Sequence, residues 1–240
     1  MKKRFIRIAL WTRNITIFLF VLSLLPVLLY KYVPVCYTPQ MLTRRHISHR
    51  WRPLTEISQH LTQAVVASED NFFLIHNGFN NNRFVIDSTK LFRSMLLREN
   101  KTVSQQTADA VFLLSGRSSI HNALETYFTL LIEFVWGKKR IMEVYLNTKE
   151  MGDGIFGAEA IAEKKFQKTA AQLSASEAAL ITTAFPNPKM FDSGKPTSYM
   201  LKQQAKTATL MAKIIPVEMG GSTSPTGNNQ LENNAPTGIR

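Results

Sequence analysis

The sequence is poor in cysteine and in acid. Its 240 residues hold one cysteine, Cys36. No disulfide can close within the chain, and no cysteine-based metal site can form. Asp and Glu total 17 against 29 Lys and Arg, a net charge of +12. A basic surface can meet nucleic acid, anionic lipid or phosphate. Nucleic acid is not an expected partner. Lys2, Lys3, Arg4, Arg7 and Arg13 stand before an apolar run, where positive charge signals topology. The chain shows no internal repeat and no strand pattern. No Ala-x-Ala site follows the apolar run, so a retained anchor is expected rather than a cleaved signal peptide. Small residues are missing at Val33-Pro34-Val35, so acylation of Cys36 is not expected.

What is present begins with that run. Residues 15–33 are apolar apart from Thr16, Ser23 and Lys31. Their length is close to the ~20 residues that span a bilayer core. Pro26 is tolerable inside a membrane helix. The positive flank puts the N-terminus in the cytoplasm and the rest of the chain outside. Residues 1–14 are then a basic cytoplasmic tail, 15–33 the anchor, 34–53 a connector and 54–215 a folded domain. Residues 216–240 are mostly Gly, Ser, Thr, Asn and Pro, a composition that cannot bury enough surface to fold. Hydrophobic content is 45%, enough for a core. Helical spacing recurs over 54–70, with Thr55 as N-cap, and over 102–114, 119–136, 138–147, 158–166, 174–184 and 197–214. Ser174 and Glu177 match a capping box. From Ser88 the stretch to residue 97 reads as an amphipathic helix. The expected fold is mainly α with one N-terminal transmembrane helix.

Beyond the anchor, Glu69-Asp70-x-x-Phe73-x-x-His76-x-Gly78 puts an acidic pair, an aromatic, a His and a Gly in one short segment. Such a set points to acid–base chemistry near a bilayer surface. Further segments follow in order. They are Thr102-Val103-Ser104-Gln105-Gln106, then Lys139-Arg140-Ile141-Met142-Glu143-Val144-Tyr145-Leu146-Asn147, then Gly154-Ile155-Phe156-Gly157-Ala158-Glu159-Ala160, then Phe185-Pro186-Asn187-Pro188. Together with Val33-Pro34-Val35-Cys36-Tyr37-Thr38-Pro39 after the anchor, they resemble the peptidoglycan glycosyltransferases, glycosyltransferase family fifty-one, in its monofunctional biosynthetic branch. The resemblance runs from about residue 15 to 191.

The resemblance implies a helical, lysozyme-like glycosyltransferase domain on the outer or periplasmic face of the bacterial cytoplasmic membrane. Its substrates would be lipid II and the growing glycan strand, with undecaprenyl pyrophosphate released. By the same resemblance Glu69 is the general base toward the acceptor 4-hydroxyl, and the second catalytic carboxylate falls at Glu125. Asp70, Phe73, His76, Lys101, Thr102, Gln105, Gln106 and Arg117 would bind substrate, Arg117 through its bidentate fork at the pyrophosphate. For Asp70 and His76, bracing a helix end is the other reading. Gly78, Glu143, Tyr145 and Asn147 would be structural, Gly78 by permitting a turn. No cofactor is required, though a divalent cation, Mg or Mn, at the pyrophosphate is compatible, with Glu125 as a ligand. The chain is too short for a transpeptidase domain, so transpeptidases or other cell-wall synthesis proteins are expected partners.

Some positions depart from the family pattern. Glu99-Asn100-Lys101-Thr102 stands where the family has Gly-Gly-Ser-Thr, and Asp109-Ala110 where it has Lys-Asn. His121-Asn122 replaces Arg-Lys, and Lys165-Phe166-Gln167 replaces Tyr-Phe-Gly. Asp109 inverts a charge near the pyrophosphate. Unit charges ~4 Å apart at an effective dielectric near 20 interact by about 4 kcal/mol. Lys101 or Lys165 is therefore expected to restore the balance. Two other readings stay open: a weak or inactive homologue that binds lipid II or cell-wall partners, and a lysozyme-like hydrolase or lytic transglycosylase. The anchor and the Gln-Gln pair argue against the hydrolase.

Overall fold

The computed structural model describes residues 2–79, 101–114, 116 and 118–214. The expected helix at 88–97, Arg117 and the tail 216–240 lie outside the described residues. The chain opens with α1 (Lys2–Tyr32), which carries Pro26. Within it Leu10–Tyr32 has a mean hydropathy of 2.0 over its most apolar window, long and apolar enough to cross a membrane. Among the described residues, the C-terminal half of α1 meets the domain. Ser23 and Tyr127 share a hydroxyl–hydroxyl hydrogen bond of 2.6 Å. The Trp136 indole N–H donates to the Val27 carbonyl at 2.7 Å. Arg140 donates to the carbonyls of Tyr30 and Val33 at 2.7 and 2.6 Å.

The domain is built around α2 (Gln59–Ser68), whose Leu61, Ala64, Val65, Val66 and Ala67 are all buried. It packs on α7 (Ala175–Thr183) and α8 (Ser198–Met211). A second group pairs α3 (Val103–Phe112) with α4 (Ser119–Val135) and α5 (Gly137–Thr148). The cap chemistry is in the sequence. The side chains of Thr102, Ser118, Ser174 and Thr197 each accept from a backbone N–H of their helix's first turn. Ser174 and Glu177 form the expected capping box.

Three expectations are corrected. The helix expected from residue 54 starts at Gln59, capped by Ser58 rather than Thr55. Leu54–Glu56 is a 3-10 turn, since the Leu54 N–H is taken by the Glu143 carboxylate at 2.9 Å and Ile57 is extended. The helix expected over 158–166 divides into a short α6 (Ala158–Ile161) and a π-helical turn, Ala162–Phe166. Strands are also present: β1 (Ser48–His49), β2 (Glu150–Gly152) and β3 (Ile155–Phe156), in the order β1-β3-β2. They are too short to show an alternating pattern. At Gly154, φ is +66° and an added Cβ would lie 2.3 Å from the His46 carbonyl oxygen, so only glycine fits the turn into β3.

Candidate active site

Helix α2 ends at Ser68, and Glu69 is its C-cap, with its N–H on the Val65 carbonyl at 2.8 Å. Its half-buried carboxylate is thereby set on the wall of a cavity of about 430 Å³. Lys101, Gln106, Asp109, Tyr145 and Lys149 line the same cavity.

Gln106 holds Glu69. Its amide N–H donates to Glu69 Oε2 at 3.0 Å and to the Lys101 carbonyl at 3.1 Å. Its own oxygen accepts from Lys149 Nζ at 2.6 Å and from the Tyr145 hydroxyl at 3.4 Å. Burial pushes the Tyr145 hydroxyl well above the usual tyrosine range, and the charges of Glu69 and Asp70 add to this. It therefore stays a donor to Gln106. Lys149 was not among the residues singled out in the sequence; its only signal is that it follows the Tyr145–Asn147 motif.

Gln105 holds the second glutamate. Its oxygen accepts from the Thr102 N–H at 3.2 Å in a capping box, and its N–H donates to Glu125 Oε1 at 3.3 Å. Two adjacent glutamines on α3 thus hold the two candidate acids, one each. Glu125 is buried, and burial raises its carboxyl above the usual range, against the opposing bond and charge of Lys101. Asp109 adds to the rise. The Lys101 ammonium bonds Glu125 Oε2 and also reaches Asp109 Oδ2 at 3.3 Å. Lys101 therefore does face Asp109. Lys165 does not line the cavity and pairs instead with Asp192 at 2.8 Å.

Behind the cavity the first motif forms a brace. Asp70 Oδ2 accepts from His76 Nε2 at 2.7 Å and from the Val103 N–H at 3.0 Å, joining the end of α2 to the start of α3. His76 Nδ1 accepts from the Gly78 N–H at 3.0 Å, which assigns the ring proton to Nε2. Thr102 Oγ1 donates to the Gly78 carbonyl at 2.6 Å, and Gly78 turns at φ +90°. Phe73 has no exposed surface; Lys138 Nζ lies 4.7 Å from its ring centre. Phe73, Asp70 and His76 are all buried in the wall, which for Asp70 and His76 fits the bracing alternative read from the sequence. Thr102 is likewise buried and works as cap and tie.

Two of the residues expected to be structural, Glu143 and Asn147, tie α5 to residues 52–54. Glu143 accepts from the Leu54 N–H, and Asn147 bonds both peptide groups of Arg52. A metal has one candidate set among the described residues, Asp109, His121 and Glu125.

A family model described as Transglycosylase matches residues 38–213. A biosynthetic peptidoglycan transglycosylase of Bacteroides thetaiotaomicron is 44% identical over 229 residues, covering 88% of this chain and 91% of that protein. Proteins of the same name from Caulobacter vibrioides and Pasteurella multocida are 39% and 40% identical, covering 85% and 80% of this chain and 91% and 82% of their own lengths. The matched span takes in every helix that lines or braces the cavity, and on that ground the chain belongs to the transglycosylase family and is a peptidoglycan glycosyltransferase.

Proposed function

We propose that this enzyme polymerises lipid II into β-1,4-linked glycan and releases undecaprenyl pyrophosphate, with Glu69 as general base. The observation that carries the reading is the Glu69 carboxylate, set on the cavity wall and held by Gln106. Glu69 takes the proton of the acceptor 4-hydroxyl as that oxygen bonds to the donor's anomeric carbon. The bond from that carbon to the pyrophosphate breaks, and its electron pair leaves with the phosphate. Attack from the face opposite the leaving group converts the α-linked donor into a β-link. The departing anion calls for positive charge, and Lys101 and Lys149 both line the cavity. A divalent cation, where one is bound, would supply Lewis acidity to the pyrophosphate. The buried Asp109, His121 and Glu125, which offer two carboxylates and an imidazole, fit that group. Leu10–Tyr32 would hold the domain on the outer face of the membrane, with the N-terminus inside.

The detergent-solubilised full chain, incubated with labelled lipid II, is expected to build glycan strands. Retained lipid II binding without polymer would favour the non-catalytic reading, which draws on Asp109 in the cavity wall. Breakdown of finished peptidoglycan would favour a hydrolase. A further test concerns Gln106. Its bond to a charged group contributes about 1.5–3 kcal/mol. Gln106→Ala is therefore expected to slow polymerisation by roughly tenfold to a hundredfold. An unchanged initial rate would remove Gln106 from the machinery.

A further inference from the structure

We infer that the ring pair Phe191–Tyr199 and the lysines beside it on α8 form a contact surface for the peptidoglycan strand outside the cavity. Amino-sugar rings pack on the exposed aromatic face, and the acidic peptides that the strand carries meet the lysines. The inference rests on the peptidoglycan glycosyltransferase assignment, not on the identity of the donor.

The surface begins where the cavity ends. Phe185 and Pro186 line the cavity. The chain then turns on Asn187, whose carbonyl accepts from the N–H groups of Met190 and Phe191, both at 3.0 Å. Even fully extended, the step from Pro186 to Phe191 covers no more than about 18 Å. The Phe191 ring stacks on that of Tyr199, near the start of α8, with centres 5.6 Å apart and planes 23° apart. Phe191 itself packs on the buried Leu180, Ala184 and Met200. The pair is therefore anchored from within through Phe191, and Tyr199 lies outermost, 56% exposed. Met190, next to Phe191 in the chain, is 72% exposed.

Large apolar groups gathered on a surface mark a contact site. The ring face carries partial negative charge, and the C–H groups along a sugar ring carry partial positive charge, so the two pack face to face. A ring already held by packing loses little freedom when it binds.

Charge identifies the rest of the partner. From Pro186 to Ile214, Lys189, Lys195, Lys202, Lys206 and Lys213 stand against a single acid, Asp192, which Lys165 holds at 2.8 Å. Tyr199, Lys202 and Lys206 fall at i, i+3 and i+7 of α8 and are all exposed. They share one face over about 10 Å of helix. A neutral polysaccharide makes no use of such a stripe, whereas a strand bearing carboxylate peptides does. Anionic lipid also attracts lysines, but only close to the membrane. The bonds that dock α1 reach Tyr127, Trp136 and Arg140, in the helix group of α3–α5. Helix α8 belongs to the other group, packed on α2 and α7. The stripe therefore favours the strand over the lipid.

The test uses the full chain in detergent and soluble, uncross-linked peptidoglycan strands, before and after an amidase has removed their peptides. Wild type is expected to bind the peptide-bearing strands more tightly, and less so as salt rises. Tyr199→Leu keeps apolar bulk and loses the ring, so it should weaken both strands by about tenfold. Tyr199→Trp should bind as the wild type does. Lys202→Gln with Lys206→Gln should weaken the peptide-bearing strands by about threefold to tenfold and leave the stripped ones unchanged. In polymerisation Tyr199→Leu should shorten the product while the initial coupling rate stays within about twofold, a split that a distorted cavity would not give. Thermal melting of each variant separates lost contact from lost fold. If Tyr199→Leu does not fold, the lysine pair and Tyr199→Trp carry the test. The surface is overturned if folded Tyr199→Leu binds both strands as the wild type does, or if the Leu and Trp variants are equally impaired. Lysine variants that bind strands normally but take up less phosphatidylglycerol in mixed micelles assign the stripe to lipid and overturn its role here. A chain that shows the Tyr199 effect on strand binding yet makes no polymer from lipid II overturns the lipid II reading alone. Polymer from a chain without that effect overturns this surface alone.

Discussion

Glu69→Gln lowers the rate of glycan polymerisation by about 10²- to 10⁴-fold, the range over which a positioned general base contributes. The substitution keeps the shape of the side chain and removes its proton affinity. An amide oxygen at this position can still accept from Gln106 Nε2, whose present bond to Glu69 is 3.0 Å. Glu69 is only half-buried and caps α2 through its backbone, which the substitution leaves alone. Stability should therefore move by no more than about 0.5 kcal/mol. Initial rates with labelled lipid II, read beside thermal melting of the same preparation, separate loss of chemistry from loss of fold. A variant that polymerises within twofold of the parent would strip Glu69 of the proposed role.

Asn147→Ala should produce the largest fall in melting temperature. Asn147 is wholly buried at the base of α5. Its oxygen accepts from the Arg52 N–H at 2.8 Å, and its N–H group donates to the Arg52 and Glu143 carbonyls, both at 2.8 Å. Truncation leaves the Arg52 peptide groups unpaired in a part-buried place. Each such group costs about 1–3 kcal/mol. A combined loss of about 3 kcal/mol in a domain of this size lowers the melting point by roughly 6–12 °C. Asn147→Asp keeps the acceptor and loses the donor, so it should fall between the two. Circular dichroism melts in detergent check both, and a drop under about 2 °C for Asn147→Ala would show that Arg52 finds other partners.

Helices were legible where periodicity and caps agreed. Helix α4 shows its apolar spacing over about five turns, and Ser174 caps where its pairing with Glu177 predicts. At α2 two capping residues competed. Ser58 caps it rather than Thr55 because the backbone is extended at Ile57, which no helix begun at Thr55 could pass through. The strands were missed because two or three residues show no alternation.

In the site, the motifs named Glu69, Gln105 and Gln106, and the family resemblance Glu125, but not which amide serves which acid. Neighbouring glutamines are chemically alike, and only the turn of α3 assigns them. Lys101 and Lys165 looked like equal candidates for restoring charge. The fold brings the first to Asp109 and ties the second to Asp192. Phe73, Asp70 and His76 lie so close in sequence to Glu69 that contact with substrate was a natural expectation. Their burial assigns them to the wall.

The docking of α1 has a consequence for kinetics. Its last turns are bonded to Tyr127, Trp136 and Arg140, on or between the helices that carry Glu125 and Tyr145. With Leu10–Tyr32 in a bilayer, those bonds leave the catalytic cleft little room to rock against the lipid plane. With lipid II as the donor, as proposed above, enzyme and donor would then search for each other in two dimensions. Their meeting rate follows how many of each share a unit of membrane area, whatever the volume of fluid outside.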